Sequence, residues 1–220
     1  MHVILPQIMK DSVIRSRKER SMEFKDIVMK RYATKRFDER TIPEEKINQL
    51  LEIIRHAPSA VNLQPWKINV IADRKLREEL FPATFSQGQI KSCSHLLVFC
   101  ADTNVEALIE KLGLILKDAG VPDEMRNSTI GIAKGMLGKM SPEKRIEWAK
   151  CQVHLALANA VNGAKSLGFD SCPMTGFDPA EYSRILKLPG HLIPTILCTL
   201  GYAADKPMAK MRFPKEEIFF

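Results

Sequence analysis

From Glu23 onward the apolar residues of the chain recur with two spacings, one helical and one of strands. Phe24, Ile27, Val28 and Met29 form the apolar stripe of a short helix, and "KRYATKRFD" after it is a basic exit that suits a helix C-terminus. "TIPEEKINQLLEIIRHA" predicts a second helix: Thr41 and Glu44 have capping-box spacing, and Ile47, Leu50, Leu51 and Ile54 share one face. Pro58 ends it at Ala57, because the residue before a proline is pushed out of helical geometry. After the polar interruption "HAPSAVNLQPW", the pattern predicts a strand at "WKINVIAD", a helix from Arg74 to Phe81, a polar glycine-containing connection "ATFSQGQIKSC", and a fully apolar strand "HLLVFCAD". Helical spacing returns from Asn104 to Ala119 and, more loosely, through "DEMRNSTIGIAKGMLGKM". Ser141 and Pro142 fit the N-cap and first position of a long helix that reaches Leu167 and stops at Gly168. Its middle, "HLALANAVNGA", is small and apolar nearly all round, as expected of a central buried helix. "FDSCPM" reads as a strand, "DPAEYSRILK" as a helix capped by Asp178, and "LIPTILCTLGYA" as a last buried strand before a basic, proline-containing tail from Asp205.

With 220 residues, 45% of them apolar, the chain is expected to build one domain over residues 22–220. Residues 1–21, basic and weakly periodic before a second methionine at position 22, read as an N-terminal extension, disordered or foreign to the native protein. Apolar runs such as Leu96 to Ala101 fall far short of the ~20 residues a bilayer crossing needs, and no signal-peptide core is evident. A soluble, cytoplasmic protein is therefore expected. Five cysteines without a C-x-x-C pair suggest neither a disulfide framework nor a zinc knuckle, and are read as reduced core thiols. The net charge of +7 is dispersed among 26 acidic residues rather than gathered in a stripe, which fits ordinary solubility or an anionic small ligand better than nucleic acid.

Signatures of protein-supplied chemistry are missing. The dinucleotide fingerprint is absent, "AKGMLGKM" fails as a phosphate loop at both ends, the histidines stand alone, and no G-x-S-x-G elbow is present. A chain with many anion-binding donors and few reactive groups points to chemistry carried by a cofactor.

"RYATKRFD", "HAPSAVNLQPW", "CPMTGFD" and the tail "KMRFP" occur in an order and at separations that resemble the FMN-dependent nitroreductases, the NAD(P)H nitroreductase and dihydropteridine reductase-like family, from about Glu23 to Phe213. The resemblance implies an α+β fold with a mixed central sheet surrounded by helices, an intertwined homodimer, and two FMN sites at the subunit interface.

The roles it carries over are these. Arg31, Tyr32, Ala33 and Lys35 match the first motif, in which the arginine approaches the FMN phosphate and ribityl chain and the lysine the N1 and C2 carbonyl edge of the flavin. There a cation stabilises the reduced form. Pro58, Ser59, Ala60 and Asn62 match the segment contributed by the second subunit, with Ala60 where many relatives carry serine. Ser86 and Gln89 match polar contacts to the pyrimidine edge. Some relatives have lysine at the Gln89 position, so a lower flavin potential is expected here. Pro173, Met174, Thr175 and Gly176 match the turn whose amides approach flavin N5, Thr175 replacing an acidic residue of some members. Gln152 is a further candidate cofactor contact, or a purely structural hydrogen-bonding residue of the long helix. Lys210 and Arg212 match tail residues that close over the phosphate.

The implied reaction is ping-pong: NADH or NADPH passes hydride to flavin N5, and a nitroaromatic, quinone or related electrophile then accepts two electrons, with no metal and no acid–base side chain. A flavin reductase or enone reductase of the same superfamily is the alternative, and a non-enzymatic basic nucleic-acid-binding protein a remote one. The segment from Thr103 to Glu147, where relatives build a lid, lacks aromatic residues but carries Met125, Met136 and Met140, side chains that adapt to varied ligands.

Overall fold

The computed structural model describes residues 22–220, so the expected extension at 1–21 lies outside the described residues. Helix α1 (Phe24–Lys30) leads to the "RYATKRFD" segment, and α2 (Glu44–Arg55) follows. The capping box expected at Thr41 does not form. Pro43 takes the N-cap position, and its carbonyl accepts from the amides of Lys46 and Ile47, so the helix begins at Glu44. The chain leaves α2 through His56 and enters a 3-10 turn at Ala60–Asn62.

Strand β1 (Trp66–Ile71), helix α3 (Arg74–Leu80) and strand β2 (His95–Asp102) occupy the segments their patterns predict. The polar connection before β2 contains one element not expected there, the short helix α4 (Gln89–Ser92), whose Gln89 and Ile90 are buried. Helices α5 (Val105–Asp118) and α6 (Asp123–Gly138) form a hairpin, with Asn104 capping α5 through the amide of Ala107. Helix α7 (Pro142–Ser166) starts on Ser141, whose hydroxyl accepts from the amide of Lys144, and ends before Gly168, where φ is +84°. Strand β3 (Asp170–Met174), helix α8 (Pro179–Ile185), strand β4 (Leu192–Gly201) and a short α9 (Lys215–Ile218) complete the chain. Asp178 caps α8 by accepting from the amides of Ala180 and Glu181.

The sheet runs β1–β2–β4–β3 with antiparallel pairing between all named strands. Its parallel element is a single bridge between Ala33 and Ser171 at the β3 edge, which makes the arrangement mixed. Both faces are covered, and this explains the unbroken apolar run of β2. Leu97, Phe99, Ala101, Cys198 and Leu200 pack with α2 and α7 on one side, while Leu96, Val98, Cys100, Cys172 and Met174 pack with the α3, α4 and α8 region on the other. Val105, Ile109, Leu112 and Leu137 of the α5–α6 hairpin bury Leu63 and flank Val61, so the hairpin is seated on the "PSAVN" loop.

Two expectations are corrected. Helix α7 is not buried all round: Cys151, His154, Leu155 and Ala158 are exposed, because no element among the described residues covers the side that faces away from the sheet. Cys151 is accordingly not a core thiol, whereas Cys93, Cys100, Cys172 and Cys198 are buried. Burial pushes Cys93 up to about 11 and Cys100 up to about 12, where they remain thiols. No helix among the described residues is long and apolar enough to cross a membrane.

Candidate functional site

The "RYATKRFD" segment is held in place by main-chain bonds at both ends. The amide of Thr34 donates to the carbonyl of Ser171 in β3. Further on, the amide of Asp38 donates to Tyr202 and that of Ala204 to Arg36, so residues 36–38 form a short ribbon with the chain leaving β4. Phe37 lies beneath it, 3% exposed, with its ring against Gly201. A basic helix exit is thereby fixed to the edge of the sheet.

Around Lys35 the structure gathers three of the expected site segments or their immediate neighbours. Its Nζ lies 3.6 Å from the sulfur of Cys172, and Nε2 of Gln89 lies 3.9 Å from the same atom on the other side. Gln89 Nε2 also donates to Oε1 of Gln87, and Gln87 Nε2 donates to the carbonyl of Gly176 at 2.7 Å. A polar chain thus runs from Lys35 through Cys172, Gln89 and Gln87 to the Pro173–Gly176 turn. Burial raises the Cys172 pKa, and Lys35 and Gln89 oppose the shift. Glycine at 176 keeps that chain closed, since a Cβ there would stand 3.2 Å from the Gln87 amide nitrogen. Within the turn Thr175 is exposed, whereas the Met174 side chain belongs to the core, so Met174 has only its main chain to offer a ligand. Ser86 is exposed and shares positive φ with Phe85, at 55° and 53°.

Beyond the ribbon the tail returns to α1. Lys210 Nζ donates to the carbonyl of Val28 at 2.7 Å, which brings Lys210 into the field of Arg31 and Arg212. Partial desolvation and these two guanidinium groups lower the Lys210 pKa. Among the described residues Arg31, Lys35, Lys210 and Arg212 have no carboxylate in ion-pair range. Cations placed together without a counter-charge are suited to an anion, and arginine adds the planar fork that phosphate accepts. Tyr32 is differently engaged: its hydroxyl donates to Asp205.

The "PSAVN" loop stands apart, with no hydrogen bond or ion pair to these residues among those described. Ser59 Oγ accepts from the amide of Gln64, and Gln152 Oε1 accepts from the amide of Ala60 at 2.8 Å, so Gln152 ties the loop to α7. Val61, Asn62 and Gln64 all have positive φ, between 47° and 53°. For Val61 such a conformation is strained, because its branched Cβ clashes with the following carbonyl. Strain of this kind collects where a loop is shaped for a ligand. Pro58 makes no hydrogen bond among the described residues and stands just beyond the end of α2. Asp205 and Gln87 were not singled out from the sequence. The Gln87-x-Gln89 alternation is a faint signal for one, and only the folded ribbon reveals the other.

This arrangement matches known proteins over most of the chain. The model of the Nitroreductase family matches residues 28–202. A Staphylococcus haemolyticus protein provisionally named NAD(P)H nitroreductase SH0546 is 32% identical over 203 residues, covering 86% of this chain and 92% of the relative. A Thermus thermophilus protein named NADH dehydrogenase is 32% identical over 197 residues, covering 90% and 95%. In structure, a protein of Exiguobacterium sibiricum solved in complex with FMN superposes with a TM-score of 0.82 at 24% identity, over 90% of this chain and 96% of that one. Since the family match takes in the "RYATKRFD" segment, the whole sheet and the central helix, the chain belongs to the nitroreductase family.

Proposed function

We propose that residues 22–220 act as one FMN-binding domain that oxidises NADH or NADPH and reduces a small electrophilic acceptor. FMN, once bound, would supply the hydride chemistry between the nicotinamide and the acceptor. The chain's own residues would bind, orient and polarise. Arg31, Lys210 and Arg212 would hold the phosphate; Lys35 would meet the N1 and C2 carbonyl edge of the flavin; Gln89 and Ser86 would meet the pyrimidine edge; and the 173–176 turn would present main-chain amides toward N5. The observation that carries this reading is a set of cations without a carboxylate in ion-pair range among the described residues, Lys35 beside Cys172 of β3 and Arg31 with Lys210 and Arg212 where the tail meets α1. A ligand that joins a phosphate to an electron-poor ring suits such a set.

The loop carrying Ser59, Ala60 and Asn62 serves the site of a second copy of this chain. Three features support the dimer: among the described residues the loop makes no hydrogen bond or ion pair to Lys35 or its neighbours, Leu155 and Ala158 of α7 are exposed, and the tail exposes Met208, Met211 and Phe213 at 85, 80 and 74%. Apolar side chains at that exposure are suited to burial against a partner. The acceptor is a nitroaromatic, a quinone or a related electrophile, approached beneath an α5–α6 hairpin that offers aliphatic rather than aromatic walls.

The test is direct. Purified full chain should be yellow or become so on adding FMN, sediment as a dimer, and consume NADH or NADPH anaerobically with menadione or nitrofurazone. A monomer that binds FMN at full affinity removes the assignment of residues 58–62 to a partner's site. A protein that binds no flavin removes the whole reading.

A further inference from the structure

We propose that Asp205 is the positioning residue that couples the flavin-edge lysine to the phosphate-binding tail. Its Oδ2 accepts from the main-chain amide of Lys35 at 2.8 Å. Its Oδ1 accepts from the Tyr32 hydroxyl at 2.9 Å, with the Asp205 carbonyl sharing that proton at 3.1 Å. Three polar atoms of one residue are thus spent on the "RYATK" segment.

The position explains the chemistry. The main-chain pairing of the ribbon ends at Ala204, whose amide donates to the carbonyl of Arg36. Beyond it the Asp205 carboxylate takes the Lys35 amide, so a side chain and not a further main-chain rung holds the two segments together where the tail departs. From 206 to 213 no main-chain pairing is made among the described residues, and the side-chain ties are Lys210 to Val28 and Arg212 to Met211. The direction in which the tail leaves, and hence the reach of Lys210 and Arg212, is therefore set at Asp205. Only a carboxylate can accept from both donors at once; asparagine would turn an NH2 toward one of them. Asp205 has no lysine, arginine or histidine in ion-pair range among the described residues, so it holds neutral donors rather than balancing a charge. This inference rests on the flavin site proposed above for its consequence, though not for its geometry.

The experiment uses the full chain with Asp205→Asn, Tyr32→Phe and the double variant. First, hydrogen exchange at the Lys35 amide is measured without flavin, where Asp205→Asn should accelerate it at least about tenfold, the factor for loss of one charge-assisted hydrogen bond. Second, FMN and riboflavin affinities are compared. Asp205→Asn should weaken both, FMN by about tenfold and riboflavin less, because the lysine and the phosphate arm are released together. Tyr32→Phe should cause a smaller loss of the same kind, and the double variant should lose less than the sum, since both act on one joint. Unchanged exchange at Lys35, unchanged affinities, or strictly additive losses each overturn the proposal. If Asp205→Asn does not fold, Tyr32→Phe alone decides it through the paired flavin affinities. A wild-type chain that binds neither flavin defeats the proposed function instead, and the exchange measurement still decides the role of Asp205.

Discussion

The ammonium of Lys35 lies 3.6 Å from the thiol sulfur of Cys172, and no carboxylate competes for it among the described residues. A thiol kept protonated by burial neutralises nothing, so the full charge of Lys35 is directed at whatever binds beside it. Lys35→Met keeps most of the stem and removes that charge. The reduced flavin, being more negative, loses more than the oxidised one, and the midpoint potential should fall. Loss of one charge-assisted contact of ~1.5 to 3 kcal/mol corresponds to about 30 to 60 mV for a two-electron couple. Equilibration against redox dyes measures it, and an unchanged potential with FMN still bound would place Lys35 away from the N1 edge.

In the tail, Arg212→Ala should weaken FMN by about ten- to a hundredfold, since each charge-assisted bond contributes ~1.5 to 3 kcal/mol. Riboflavin, which lacks the phosphate, should barely respond. Fluorescence-quenching titrations with both ligands make the comparison, and equal losses for the two would mean that the tail organises the fold rather than gripping phosphate.

The lowered pKa of Lys210 predicts a pH dependence. Without ligand its proton is loosened by desolvation and by Arg31 and Arg212. A phosphate dianion makes the charged form favourable again, so the pKa is higher in the complex and binding takes up a proton between the two values. FMN affinity should therefore decline as pH rises through the ligand-free pKa of Lys210, which lies below the ordinary 10.5. Riboflavin affinity lacks that limb, and Lys210→Met should remove it from FMN. An alkaline limb of equal size for both ligands would assign the titration to the isoalloxazine.

Gly201 and Phe37 form the joint under the ribbon. A Cβ at Gly201 would stand 2.6 Å from Cδ1 and 2.8 Å from Cγ of the Phe37 ring. With Phe37 only 3% exposed, the ring has little room to move aside. Gly201→Ala should cost ~1 to 3 kcal/mol, as overpacking of a filled core does. Denaturant unfolding should show the loss, and Phe37→Leu in the same chain should recover part of it. Wild-type stability in Gly201→Ala would show the ribbon to be looser than its packing implies.

The local decisions of this fold were legible in the chain itself. Strand β2 coincides with "HLLVFCAD", Ser141 with Pro142 starts α7, Asp178 caps α8, and Gly168 takes the left-handed position that stops α7, because each depends on a few neighbouring side chains and their reach. Thr41 shows the limit of the same logic: two acceptable starts lay within three residues, and the fixed φ of Pro43 prevailed. The candidate site divides in the same way. Arg31, Lys35 and Arg212 were visible as cations in recognisable motifs. The role of Asp205 was not, because its partners Tyr32 and Lys35 lie 173 and 170 residues away and meet it only when the chain leaving β4 pairs with the segment after α1. Likewise, the composition of α7 indicates burial on every side, yet a face of a helix is covered only if some other element reaches it. Among the described residues none covers Leu155 and Ala158. Periodicity and capping are short-range properties written in consecutive residues, whereas which carboxylate meets which amide, and which apolar face stays open, are settled by the long-range pairing of strands and ribbon.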